Sequence, residues 1–382
     1  MKLSTDRILT THVGSMPRPQ NVVDMLFAQD NDELKNQAAF DSTMKAAVAD
    51  IAQKQTNAGV DIISDGEMSK ISYATYIRHR LTGFEIGEMP RATPKDLDDF
   101  PEYKERLAQS GGTPKYHRPI CTGPISIKDL TPLQTDIANF QSALNAVNAT
   151  EGFMNAASPG VIAVFQPNTH YTSHEDYLQA LAEVMKIEYE AIVQAGITLQ
   201  VDCPDLAMGR HIKFRDVDDD EFVRNAELQV EALNYALSEV PAESVRMHLC
   251  WGNYEGPHTH DVPLEKIMSV VMKAKPQAIL FEGANPRHAH EWQVWRDASI
   301  PDNKVLIPGV LDTTTNFVEH PELVAERIER FANIVGRERV IAGTDCGFGT
   351  FAGFGAIHPS ICWGKLAAMR EGADIASKRL WS

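Results

Sequence analysis

Thr198-Leu199-Gln200-Val201-Asp202-Cys203-Pro204 and, further along, Val245-Arg246-Met247-His248-Leu249-Cys250 decide the fold. Each is a short apolar, β-branched run that ends in a carboxylate, an imidazole or a thiol. Between them, residues 219–238 show the 3.6-residue periodicity of an amphipathic helix. A strand, a helix and a second strand of this kind make one unit of a parallel sheet. The same alternation extends outward in both directions. Strand-like runs fall at 8–13, 60–64, 120–122, 161–165, 278–281, 305–309 and 340–343, and helical segments at 42–58, 174–194 and 321–335. With the two opening runs, that makes nine candidate strands where a (β/α)8 barrel takes eight, so one is either accessory or not a strand, and the sequence alone does not say which. A doubly wound open sheet is the alternative, but no glycine-rich dinucleotide fingerprint follows the first strand. The expectation is one (β/α)8 TIM barrel with inserted loops, a catalytic domain over 1–382. The polar, weakly periodic stretch 87–118 interrupts it as a surface insertion or as a lid beside the barrel mouth.

Composition narrows the partners. The 382 residues are 43% hydrophobic, enough for a full core, and carry a formal charge of −16. That charge argues against nucleic acid or an anionic membrane as the main partner. The N-terminus meets charge before any long apolar run, and no stretch approaches a membrane span. Five scattered cysteines do not form a disulfide framework, so a cytoplasmic, reducing location is expected. Cys121 and Cys362 read as core residues.

Chemistry collects where a barrel would use it. Strands end in Ser64-Asp65-Gly66-Glu67, Asp202-Cys203, His248-Leu249-Cys250, Phe281-Glu282 and Thr344-Asp345-Cys346, and the C-terminal ends of barrel strands share one cavity. His248 and Cys250, two residues apart on a strand, point to the same side. With Cys346 and Glu282 they offer an imidazole, two thiolates and a displaceable carboxylate, a donor set suited to Zn²⁺. Such a site has a net charge of about −1, which persists when a substrate thiolate replaces the carboxylate. Zinc there would ionise a thiol near neutral pH and leave its sulfur nucleophilic. The expected substrates are a small-molecule thiol and an alkyl donor. His288 and His290 read as a loop network behind Glu282 rather than as a second metal site. A zinc lyase or decarboxylase on a related barrel, and a non-catalytic metal-binding protein, remain as alternatives.

Thr10-Thr11-His12-Val13-Gly14-Ser15, Asp65-Gly66-Glu67, His248-Leu249-Cys250, Phe281-Glu282 and Asp345-Cys346-Gly347 together resemble the cobalamin-independent methionine synthase family. The likeness is to its short, single-barrel members, which include epoxyalkane:coenzyme M transferase, and it spans nearly the whole chain. It implies a (β/α)8 barrel with zinc on His248, Cys250, Glu282 and Cys346. It also implies that Ser15 contacts the carboxylate of an amino-acid thiol while Glu67 and Asp202 hold its ammonium group. Glu282 and the strand-end Asp312 would be catalytic, and methylation of homocysteine to methionine is the expected reaction. Three departures bear on the substrate. Asp202-Cys203-Pro204 replaces the family's Asp-Glu-Pro. Thr314 stands two residues after Asp312, where full-length members have a general-acid histidine. The chain is too short for their N-terminal folate-binding barrel. Arg18, near the first strand, is a cation that could serve a sulfonate thiol in the alternative, coenzyme M-type reaction.

Overall fold

The computed structural model describes residues 1–87, 93–109 and 116–382. Its strands in chain order are β1 (Leu9–Thr10), β2 (Ile62–Ser64), β3 (Phe84–Ile86), β4 (Pro119–Cys121), β5 (Glu151–Ala157), β6 (Thr198–Asp202), β7 (Val245–Leu249), β8 (Ala278–Phe281), β9 (Val305–Leu311) and β10 (Ile341–Thr344). Eight of them form one parallel sheet in the order β1-β10-β9-β8-β7-β6-β5-β2. The remaining seam, between β1 and β2, is stitched by Asp61 N–H to Thr10 O (3.2 Å) and Thr11 Oγ1–H to Ile62 O (3.0 Å). The sheet thus curls into a nearly closed (β/α)8 barrel with helices outside.

Two expectations about strands need correction. The run 161–165 is helical, within Pro159–Phe165, and the barrel strand is β5, just before it. Ser158 caps that helix by accepting from Val161 N–H at 2.9 Å, and Pro159 supplies the first helical φ. A Ser-Pro start therefore overrides a β-branched run. β5 reads Glu-Gly-Phe-Met-Asn-Ala-Ala, a poor strand former that pairs on both edges because its position demands it. The accessory strand is β4, which pairs antiparallel with β3 outside the barrel. The helices Gln37–Asn57, His174–Gln194, Asp219–Ala236 and Pro321–Val335 occur where periodicity expects them.

The strand alternation sorts side chains into two environments. On β7, Val245, Met247 and Leu249 face the helices, so Arg246 and His248 face the barrel axis; Leu199 and Val201 of β6 similarly leave Gln200 and Asp202 inside. The lower interior is apolar, with Leu9, Ile62, Phe153, Leu280, Ile307 and Ile341 packed together. Above them lies a polar plug. Arg246, fully buried, stands 3.5 Å over the Phe153 ring and donates to Gln200 Oε1 (2.7 Å), Thr11 Oγ1 (2.9 Å) and His12 O (2.6 Å). Burial lowers its pKa to about 9, so the three acceptors are what keep it tolerable there.

The insertion expected at 87–118 is framed by β3 and β4, and residues 88–92 and 110–115 of it lie outside the described residues. Its described part, a turn at Lys95–Asp98 and the helix Pro101–Gln109, leans on the loop after β7. Asp96 is buried there, accepting from Tyr254 Oη and from His258 N–H at 2.6 Å.

Candidate functional site

At the C-terminal mouth of the barrel, β7 delivers His248 and Cys250, and the turn after β10 delivers Cys346. One donor atom from each lies within 4.8 Å of the others. The Cys250 and Cys346 sulfurs are 3.7 Å apart. A tetrahedral ion with metal–sulfur bonds of about 2.3 Å would hold its sulfurs about 3.8 Å apart, so the donor set fits zinc geometrically. The charges around it bear on what it could hold. The neighbouring Cys346 thiol, then burial, then Glu282 push the Cys250 thiol well above its ordinary pKa, although Gly252 N–H points at its sulfur at 3.2 Å. Burial opposes charge on His248, yet Asp202 and Cys250 raise its pKa to about 10. A divalent cation among these groups would replace that proton and ionise both thiols.

Glu282, directly after β8, stands beside this trio and is not one of its close-packed donors. Its Oε1 accepts from Trp251 N–H (2.7 Å) and its Oε2 from Asn285 Nδ2 (2.6 Å). The loop that carries it is clamped by Asp345, whose carboxylate accepts from the N–H groups of Gly283, Ala284 and Asn285 at 2.8–2.9 Å. Burial, then Glu282, raises the Asp345 pKa to about 7 against those donors.

An inner cleft of about 380 Å³, counting the space open to solvent, reaches from the trio to Ser15, Glu67, Tyr73 and Asp202. Glu67 takes a left-handed backbone (φ 55°) after Gly66 (φ 66°), an uncommon conformation for a non-glycine residue and one found at functional sites. Its side chain is 2% exposed, and its Oε2 has no hydrogen-bond partner among the described residues. Burial foremost, with Asp202 and Asp65, raises its pKa, and Lys70 and Arg18 only partly offset this. Asp202 is oriented by Asn155 Nδ2 (3.0 Å) and Gln200 Nε2 (2.8 Å), and its Oδ1 stands 3.6 Å from His248 Nδ1. Ser15 is held between Gly347, where a Cβ would collide with its Oγ, and the Phe348 N–H that its carbonyl accepts.

An outer cleft of about 620 Å³, measured the same way, adjoins the inner one at Gly252, Asn253 and Cys346; Glu282 and Asp312 line it. Asp312 accepts from Thr314 N–H, Thr314 Oγ1 and Thr315 Oγ1, each at 2.8 Å.

The structure brings Ser15, Glu67, Asp202, His248, Cys250 and Cys346 to one cleft and Glu282 and Asp312 to the next. It does not bring Arg18 there. That guanidinium donates to the Glu67 carbonyl (2.7 and 3.1 Å) and to the Gly349 carbonyl (2.5 Å), holding Glu67 from behind. His288 bonds Glu291 (2.9 Å) and Asp261 (3.0 Å), and its ring stacks on Trp251 at 4.2 Å, beside the N–H that holds Glu282. Sequence reasoning missed Tyr73, Asn155, Gln200, Asn253 and Asn285. Gln200 alone had a signal, two residues before Asp202 on the same face of β6.

A family profile described as the catalytic domain of cobalamin-independent synthase matches residues 8–358. The methionine synthase of Saccharolobus solfataricus is 24% identical over 376 residues, covering 97% of this chain and 95% of that protein. That of Sulfolobus acidocaldarius is 23% identical over 341 residues, with 88% and 85% covered. The fold is similar to that of a B12-independent methionine synthase from Shewanella sp. W3-18-1 (TM-score 0.72, 19% identity, 98% and 99% covered). A B12-independent methionine synthase homologue from Listeria monocytogenes is similar too (TM-score 0.65, 18% identity, 97% and 99% covered). With the profile matched over most of its length and the fold shared end to end, the chain belongs to the cobalamin-independent methionine synthase family of methyltransferases.

Proposed function

We propose that this enzyme methylates the sulfur of homocysteine to give methionine, with one Zn²⁺ on His248, Cys250 and Cys346 and with Glu282 as the fourth, displaceable ligand. One observation carries the choice of thiol. The Glu67 carboxylate is buried and has an unpaired oxygen in the cleft that holds the His-Cys-Cys trio. A buried unpaired acceptor is costly unless a ligand completes it, and an ammonium group beside Glu67 and Asp202 does so. Ser15 then meets the substrate carboxylate. When bound, zinc supplies the acidity that ionises the thiol. Asp202 orients His248 while holding the ammonium. The sulfur attacks the methyl carbon, the donor keeps the electron pair of the broken bond, and the thiol proton goes to solvent. A sulfonate thiol fits less well, because among the described residues no Arg or Lys lines the inner cleft, and Arg18 and Arg246 already donate to carbonyl, amide and hydroxyl oxygens.

The insertion after β3 we read as a lid, tied through Asp96 to Tyr254 and His258 on the outer cleft's wall. Thiol chemistry and five unpaired cysteines suit a reducing compartment, and we place the enzyme in the cytoplasm. Zinc X-ray absorption with and without homocysteine tests the assignment. One added Zn–S scatterer, with loss of one oxygen scatterer, is expected; an unchanged shell at saturating homocysteine would refute it.

A further inference from the structure

The two clefts meet at Gly252, Asn253 and Cys346, which line both. A methyl group that leaves a donor in the outer cleft for a sulfur in the inner one crosses there. Gly252 (φ 118°) makes the turn that sets Asn253 at this aperture. The Asn253 Nδ2 donates to Gly347 O (2.8 Å) and Thr350 Oγ1 (2.9 Å), both on the inner cleft's wall. Its Oδ1 accepts from Thr313 Oγ1 (2.9 Å), on the outer cleft's wall. A carbonyl can only accept, so the Gly347 contact fixes which end of the amide faces which cleft. Gly347 directly follows Cys346, and Thr313, which is buried, directly follows Asp312. One side chain thus ties the loop after β7 to the turn after β10 and the loop after β9, and none of its three bonds stays within its own loop.

We infer that Asn253 is a positioning residue of the methyl transfer, whose amide holds the donor side of the aperture in register with the thiol side. This rests on the thiol methylation proposed above. Displacement at carbon needs the sulfur, the methyl carbon and the leaving atom in line. The reacting atoms must stand about 3–3.5 Å apart, and a misplacement of about 1 Å can cost about 100-fold in rate. The thiol is held on the Cys346 side of the brace and the donor on the Thr313 side, so the tie between those two loops sets how sulfur and methyl meet. The sulfur gives its pair to the methyl carbon, the old bond breaks, and its pair stays on the donor. Asn253 neither gives nor takes a proton in this step. Loss of its amide should therefore slow the transfer without loosening the thiol.

The test gives the zinc-loaded protein homocysteine with a bulky donor, 5-methyltetrahydrofolate triglutamate or methylcobalamin, or with methyl iodide, which is too small to need the outer wall. Asn253→Ala and Thr313→Val should each cut kcat with the bulky donor by about 10- to 100-fold. Zinc content, the calorimetric Kd for homocysteine and the methyl iodide rate should stay within about twofold of the parent's. Thr313→Ser keeps the hydroxyl and should transfer as the parent does. The double variant of Asn253→Ala and Thr313→Val should be no slower than Asn253→Ala alone, because both remove one tie. If homocysteine affinity or zinc content falls along with kcat, or if methyl iodide slows as much as the bulky donor, the amide merely supports the thiol site and the inference is overturned. Full transfer by Thr313→Val overturns it equally. A parent that accepts methyl from methyl iodide alone, in a Glu67-dependent way, also overturns it, while the thiol function stands. If no donor methylates homocysteine, the proposed function itself fails and the inference with it.

Discussion

Glu67→Gln should separate binding from stability in opposite directions. In the free protein the Glu67 carboxylate is buried with an unpaired oxygen, and burial with Asp202 and Asp65 disfavours its charge. The folded state therefore holds a proton over a pH range where the unfolded chain has already lost it. Stability from this group is present in acid and declines as pH rises from the ordinary carboxylate range through the raised folded pKa. Glutamine keeps the shape and removes that decline, so the ligand-free variant should be at least as stable as the parent at pH 8. Homocysteine binding should suffer. A charge-assisted hydrogen bond contributes about 1.5–3 kcal/mol, or about 10- to 150-fold in Kd. The assay is calorimetric titration of zinc-loaded parent and variant with homocysteine and with 4-mercaptobutanoate, which lacks only the ammonium group. The variant should lose at least about tenfold for homocysteine and less than about twofold for the des-amino thiol. Equal losses for both thiols, or a variant less stable than the parent at pH 8, would refute the assignment of Glu67 to the ammonium group.

Three further outcomes are expected. Cys250→Ser or Cys346→Ser should lose most bound zinc and the activity, whereas Cys362→Ala, in the outer core, should keep about one metal per chain by elemental analysis. Arg18→Ala should raise the KM for homocysteine while leaving metal content unchanged, because it frees the Glu67 backbone from behind; unchanged kinetics would remove Arg18 from the site's support. His12 accepts from Gly14 N–H at Nδ1 (3.1 Å) and faces Gln55 Oε1 through Nε2 (2.6 Å), which fixes the neutral ring, and burial lowers its pKa to about 3. The unfolded chain then takes up a proton that the folded one refuses as pH falls through 6.5. Urea denaturation should show about 2 kcal/mol less stability at pH 5 than at pH 7 from this group, and ring NMR should show no His12 titration above pH 5.

The sequence by itself determined the barrel and pointed to the proposed metal donors, because both readings rest on local or periodic properties. β7 announces its inward face in Arg246, His248 and Cys250 by alternation, and helices such as Pro321–Val335 announce themselves by apolar spacing. Strand ends are where barrel chemistry collects, so Glu67, Asp202, Glu282 and Cys346 were legible once the strands were. Tertiary structure decided the rest. β5 is a strand because β2 and β6 flank it, although its Gly, Asn and Ala residues favour no strand, while a Ser-Pro cap turned the more strand-like 161–165 into a helix. No pattern could show that Arg18 faces away from the cleft, since a long cation near a strand end can serve substrate or backbone, and only the positions of the Glu67 and Gly349 carbonyls settle which. Nor could a pattern show that Glu67 keeps an unpaired oxygen, because an unmet hydrogen bond is a property of everything around a side chain, and those surroundings come from every part of the chain.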